Sequence, residues 1–208
     1  GRFAFPDPSA WHGYVVPTAL PMQQGTVALS DFELFIGSVS VSLGEQAMLT
    51  GGLLFLPMDP DEQLIHFGMK TTLVQTDENF TLAIGGFFFL VPGKNADVVG
   101  IPYLVGTIGD ADLNLSVLAG TIGNFGSSND SFSEITFAAS FSTRMSEGVK
   151  FVGETAYFPG SDGVPLVLGL RFFGRSMSGD IGMMYFVGGD DGFSSPIGIP
   201  VVSFTADF

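Results

Sequence analysis

Cysteine is absent from the 208-residue chain. Disulfides, thiolate metal sites and Cys nucleophiles are excluded together. Positive charge is nearly as scarce: seven Lys plus Arg stand against 21 Asp plus Glu, for a formal charge of −14. Nucleic-acid binding is excluded on that ground, because phosphate contacts need clustered cations. Histidine occurs only at His12 and His66, too few for a metal centre in a chain without thiolates. Charge of either sign is thin, at 13% of residues, about half the usual share. A soluble surface of this size needs more, whereas a surface facing lipid does not. Long apolar runs are missing as well. The longest, Ile84 to Pro92, is rich in Gly and Phe and far short of the ~18 residues of a transmembrane helix. The other structure that satisfies its backbone in lipid is a closed β-barrel.

What is present is short and punctuated. Apolar residues make up 46% of the chain, with 29 Gly and 12 Pro between them, a pattern of many strands and turns. Alternation with period two is clearest in two segments. Leu113, Leu115, Val117 and Ala119 share one face, opposite Asp112, Asn114 and Ser116. Ile135, Phe137, Ala139 and Phe141 share another, opposite Glu134, Thr136, Ser140 and Arg144. A soluble sandwich would alternate too. These strands, however, reach bilayer-crossing length, and their polar face is Ser, Thr, Gly, Ala and Asn, as expected of a narrow lumen.

Short polar turns are expected at Gly44-Glu45-Gln46, Asp77-Glu78-Asn79, Gly109-Asp110-Ala111, Ser146-Glu147-Gly148 and Ser178-Gly179-Asp180. Longer connections alternate with them: Pro57–Gln63, Pro92–Asp97, Asn124–Ser131, Pro159–Val164 and Gly188–Pro196. In outer-membrane barrels the short turns are periplasmic and the long loops extracellular. Eleven strands follow, the first a continuous 26–43 kinked near Gly37 where the alternation slips phase, the last four 149–158, 165–177, 181–188 and 197–208. An even count requires one more, and Arg2–Phe5 is the candidate. The fold expected is an all-β antiparallel up-and-down transmembrane barrel of about 12 strands, or 10 if residues 1–25 stay outside the wall. Residues 1–208 form one domain, with 1–25 a short strand plus a rim or lumen segment.

The final strand places Val202, Phe204, Ala206 and Phe208 on one face and Ser203, Thr205 and Asp207 on the other. Its terminal Phe resembles the signal by which outer-membrane barrels are handed to their assembly machinery, with Val202, Phe204 and Phe208 as its residues. Three stretches carry a wider resemblance: Gly37–Leu43 followed by Leu49–Leu53; Gly100–Tyr103 through Asp112–Leu115; and Pro196–Pro200 into Phe208. With the Arg2-Phe3 start and the Pro21–Gly25 connection, nearly the whole chain resembles an uncharacterised family of bacterial outer-membrane-type β-barrel proteins. The resemblance implies location in a Gram-negative outer membrane and no assigned chemistry. The turns here carry Gly-Glu-Gln and Asp-Glu-Asn where that family often has Thr-Asp-Asn.

Ionisable groups at membrane depth are costly unless paired or wet. By strand parity Lys70, Glu134, Arg144, Glu154, Arg171 and Arg175 point into the lumen as an ion network. Glu154 and Arg171 fall almost opposite each other, as a cross-strand pair that narrows the hole. Val167, Phe173, Met184 and Phe186 on the lumen side favour a filled interior. Tyr103, Tyr157, Phe158 and Tyr185 suit interfacial girdles. The acidic loops Asp59-Pro60-Asp61-Glu62 and Asp190-Asp191 match no EF-hand spacing and read as solvated loops, so no metal site or cofactor is expected. No Gly-x-Ser-x-Gly elbow exists and neither His lies near a nucleophile in sequence, so no enzyme is expected.

The function expected is therefore a non-enzymatic outer-membrane barrel, a structural or anchoring subunit with a largely side-chain-filled lumen. A narrow passive pore for small or apolar solutes is the alternative, and a soluble acidic β-sandwich that binds a partner is the third reading. Its partners would be outer-membrane lipid, the barrel assembly machinery and an envelope protein, not nucleic acid.

Overall fold

The computed structural model describes residues 3–33, 35–54, 63–90, 98–125, 131–188 and 198–208, the side chains of 131–134 excepted. Twelve antiparallel strands close into a barrel: β1 (Val27–Phe32), β2 (Ile36–Leu43), β3 (Ala47–Leu54), β4 (Ile65–Gln75), β5 (Phe80–Leu90), β6 (Val98–Gly109), β7 (Leu113–Phe125), β8 (Ser131–Ser146), β9 (Val149–Tyr157), β10 (Val164–Phe173), β11 (Met177–Val187) and β12 (Ile199–Asp207). Each strand pairs with its sequence neighbour, and β1 pairs with β12 to close the ring. The seam carries Ala28↔Asp207 through Phe32↔Ser203, and the Phe208 N–H donates to the Val27 carbonyl at 2.8 Å. Closure overturns the sandwich and leaves no edge strand.

The strand count of twelve is reached differently from the expectation. Residues 26–43 are a hairpin, not one kinked strand: β1 and β2 pair from Val27↔Val41 to Phe32↔Ile36. The chain reverses at Glu33, which holds φ at 59°, a left-handed conformation that turns require. The turn hides in sequence because the residues after Glu33 are Leu34-Phe35-Ile36, with no turn chemistry. Phe3–Phe5, conversely, carry bends and join no strand. Ser178-Gly179-Asp180, expected as a turn, lies inside β11. That hairpin turns at Gly174–Ser176, where Gly174 N–H donates to the Met177 carbonyl at 2.8 Å. Small polar residues facing a polar lumen mimic a turn.

The two faces of the wall differ as the alternation requires. Outward stand Leu29, Phe67, Leu104, Leu115, Phe137 and Ile181, all exposed. Inward lie Ser40, Thr107, Ser116, Lys150, Glu154 and Arg171, all buried. This is the inverse of a soluble protein. Tyr157 and Phe158 are exposed at the long-loop end, whereas Tyr103 is buried in the lumen and belongs to no girdle.

Candidate functional site

The lumen is filled by the N-terminal segment rather than by wall side chains alone. Residues 7–22 cross it, bonded on one side to β4 and β6 and on the other to β9, β10 and β11. β4 and β10 stand on opposite sides of the ring, so this plug bridges the hole.

Three anchors hold it, each using inward positions fixed by strand parity. The first is ionic. Asp7 of the plug meets Lys150 Nζ at 2.6 Å and Arg171 Nη1 at 3.5 Å, all three side chains essentially inaccessible. Arg171 also makes a bidentate contact with Asp180, directly opposite on β11, at 2.7 and 3.0 Å. Its remaining donors reach the carbonyls of Ser9, His12 and Gly13. Burial pushes the Asp7 carboxyl upward, but Arg171 and Lys150 outweigh it and hold the group below its usual range. Burial pushes His12 down to about 4, so the ring is neutral at pH 7, and its Nδ1 lies 2.6 Å from the Gly13 carbonyl.

In the second anchor Glu154 takes the plug's backbone. Its carboxylate accepts N–H bonds from Tyr14 at 2.6 Å, Val15 at 3.0 Å and Val16 at 3.3 Å. Among the described residues no cation lies within ion-pair range of it. The third anchor is its opposite in charge: Lys70 Nζ donates to the carbonyls of Leu20 and Thr18 at 2.8 Å and of Trp11 at 3.0 Å. An ammonium has three donors, so all are used. Thr72 and Thr107 add bonds to the Ala19 carbonyl and amide. Tyr14 is seated in a gap left by the cross-strand pair Gly169↔Gly182, where an added Cβ would lie 2.2 Å from its hydroxyl oxygen at position 169 and 2.8 Å at 182.

The sequence-expected network is partly assembled. Lys70, Arg144, Glu154 and Arg171 are buried on the inner face. Arg144 stands apart at the short-turn end, bonded to Asp112 at 2.9 Å and to the Phe5 carbonyl at 2.7 Å, with the Phe3 and Phe173 rings over its guanidinium. Arg175 is exposed in the β10–β11 turn and is not in the lumen, because that turn falls earlier than expected. The Glu134 side chain and the loops Asp59–Glu62 and Asp190–Asp191 lie outside the described residues. The Glu154–Arg171 pair is not made: the register sets Val167 opposite Glu154 and Lys150 opposite Arg171. Val202, Phe204 and Phe208 face outward.

Beyond the plug, towards the long-loop end, the lumen opens into two lobes that share Val15, Pro17, Phe87 and Tyr103. No protein-family model matches the chain, and no curated protein matches it. One lobe, about 250 Å³, is lined by Leu118, Ala138, Val167 and Met184 among others. The other, about 150 Å³, is lined by Ser30, Ser38, Ser40, Thr50 and His66. His66 Nε2 lies 3.0 Å from Ser38 Oγ, a contact sequence spacing does not show. It crosses a whole strand: Ser38 stands opposite Gly52, and Gly52 opposite His66. A Cβ at Gly52 would sit 2.5 Å from the ring, so glycine there is what lets the two meet. The Gly51-Gly52 pair was the available signal.

Proposed function

We infer that the chain is an integral β-barrel of a Gram-negative outer membrane, a non-enzymatic structural or anchoring protein whose lumen is closed by its own N-terminal segment. The observation that carries this reading is the inversion of the wall: exposed apolar side chains around the outside, buried ions and hydroxyls within. Water would not favour the first and lipid would. The outward row Val202, Phe204 and Phe208 supports recognition by the barrel assembly machinery. Other envelope proteins would meet the rims, where the wall ends and polar residues begin.

The plug argues against a passive pore, since residues 7–22 occupy the path a solute would take. The Ser38–His66 contact argues only weakly for hydrolysis. Nucleophilic serine needs a base held by a third group, and among the described residues nothing bonds the other His66 nitrogen. Lipid flotation with heat-modifiable gel mobility tests the membrane assignment. The reading expects a folded, faster-migrating form that floats with vesicles. A folded chain that stays soluble without detergent would overturn it.

A further inference from the structure

The two-lobed space above the plug has a chemistry that the barrel's stability does not need. We propose that it is a binding site for an uncharged single-chain amphiphile, with the alkyl chain in the β6–β11 lobe and a hydroxyl, ester or amide head in the β1–β4 lobe. The proposal goes beyond the anchoring role and rests on the barrel and its plug, not on the membrane assignment.

The apolar lobe is apolar in fact and not just in composition. Its polar lining groups are already used: Thr136 Oγ1 donates to the Tyr157 carbonyl, Thr155 Oγ1 donates to the Pro165 carbonyl, and Glu154 is bound by plug amides. What remains towards the space is Phe87, Ile101, Leu118, Ala138, Val167 and Met184. A polar solute would lose hydration there without compensation. An alkyl chain would gain by leaving water. The floor is built for contact as well, because Val15 stands on the plug 59% exposed, inside a barrel where exposure has no structural use.

The second lobe supplies hydrogen bonds from neutral groups; the carboxylate among its lining residues, Asp31, has the outward parity of Leu29 and stands opposite the outward Phe204. Ser38–His66, Ser40–Thr50 and Thr205–Ser30 are neutral pairs around it, and each hydroxyl oxygen keeps accepting capacity. Trp11 and His12, which also line it, each keep one buried ring nitrogen without a partner, Nε1 and Nε2. Buried polar atoms are rarely left so. Both nitrogens are fully covered, so the head's partners in this lobe are the Ser and Thr hydroxyls. Lys70, the cation beside this lobe, has its three donors spent on carbonyls, so nothing there is poised for a carboxylate. The lobes lie side by side with Val15, Pro17, Phe87 and Tyr103 lining both, so a molecule laid across these side chains would set its head in one lobe and its chain in the other. Below, the plug makes the site a dead end, which suits holding a ligand rather than passing it.

Trp11 is the chain's one tryptophan, so it reports occupancy directly. Folded protein in a steroid detergent, which has no alkyl chain, would be titrated with 2-bromododecan-1-ol, whose bromine sits beside the head and so beside Trp11, while Trp11 emission is read. The proposal expects saturable quenching, abolished by Val167→Phe and by Ala138→Phe, which fill the apolar lobe. Ser38→Ala should weaken it roughly tenfold, the worth of about one hydrogen bond, while leaving the affinity for 1-bromododecane within about twofold. Heat-modifiable mobility confirms that each variant is folded, and a filling variant that fails to fold is replaced by the Ser38→Ala comparison. 2-Bromododecanoate at pH 9 should bind at least tenfold more weakly than the alcohol. Quenching that rises linearly without saturation, or that ignores the lobe-filling and Ser38 changes, would overturn the site. Tighter binding of the carboxylate would overturn the neutral-head assignment. Since the titration uses no bilayer, failure of the protein to float with vesicles would sink the membrane reading and leave this one standing.

Discussion

Arg171 and the pair Lys70 and Glu154 are buried ions on the same inner wall, yet they are neutralised in different ways. Arg171 finds its main counter-ion, Asp180, on the adjacent strand, so the wall satisfies it before the plug arrives. Lys70 and Glu154 meet no opposite charge within ion-pair range among the described residues and depend on plug carbonyls and plug amides. Lys150 belongs with them, since its ion-pair partner there is Asp7 of the plug. The contrast teaches that the barrel carries charges that only the N-terminal segment can compensate. It also shows that much of the recognition runs through backbone, which leaves the side chains of Val15 and Pro17 free to line the space above.

The largest effect is expected at Asp7. Asp7→Ala leaves Lys150 buried without an anion, at a cost of about 3–5 kcal/mol, whereas Arg171 keeps Asp180. The unfolding midpoint in detergent should fall steeply, and Trp11 emission should shift to the red as the plug loosens. A change under about 1 kcal/mol, the worth of a screened pair, would mean that the lumen is wet and would break the comparison.

Glu154→Ala should come next, since it strands the amides of Tyr14, Val15 and Val16, at about 1–3 kcal/mol. Glu154→Gln should cost less, because a carbonyl oxygen remains to accept. Combining Glu154→Gln with Arg171→Met should give a protein less stable than either single variant. Recovery in the double variant would restore the cross-strand pair that the strand register excludes. Lys70→Met should be mildest, about 1 kcal/mol or less, because under-satisfied carbonyls are tolerated better than amides and a desolvated cation is removed.

Acid should separate the two kinds of ion. Asp7, in the plug and outside the barrel strands, has its carboxyl held below the usual value despite its burial. Stability from a lowered carboxyl is complete above the unfolded value near 3.9 and is lost as pH falls through the lower folded one. Trp11 emission should therefore hold steady down to about pH 4 and change below it in the wild type. Asp7→Asn should shrink that transition and leave the part due to His12, whose ring lies against Trp11 and protonates near pH 4.

How much of this could be read in advance depended on whether a residue obeyed parity. Lys70, Arg144, Glu154 and Arg171 alternate with apolar neighbours on long strands, and their inward position follows from period two alone. Lys150 shares the parity of Glu154 and lies inside the expected strand 149–158, so it was equally legible. Asp180 was hidden by Ser178 and Gly179, because small polar residues serve a turn and a lumen equally well. Asp7 was out of reach: residues 6–21 have no period, and its partners lie more than 140 positions away. The Ser38–His66 contact needed three registered strands and the absence of a side chain at Gly52, a three-body condition that no pairwise spacing reveals.

The central claim is that the N-terminal segment sits inside the barrel against β11. Ser9 Oγ and Ser178 Oγ lie 2.6 Å apart across that contact, and the chain has no cysteine of its own. Ser9→Cys with Ser178→Cys should therefore form a disulfide under mild oxidation of the folded protein, read by intact mass as the loss of two hydrogens and by resistance to maleimide. Ser9→Cys with Ser42→Cys, a pair the fold keeps apart, should stay reduced. Two free, readily labelled thiols at positions 9 and 178 would place the segment elsewhere and contradict the account.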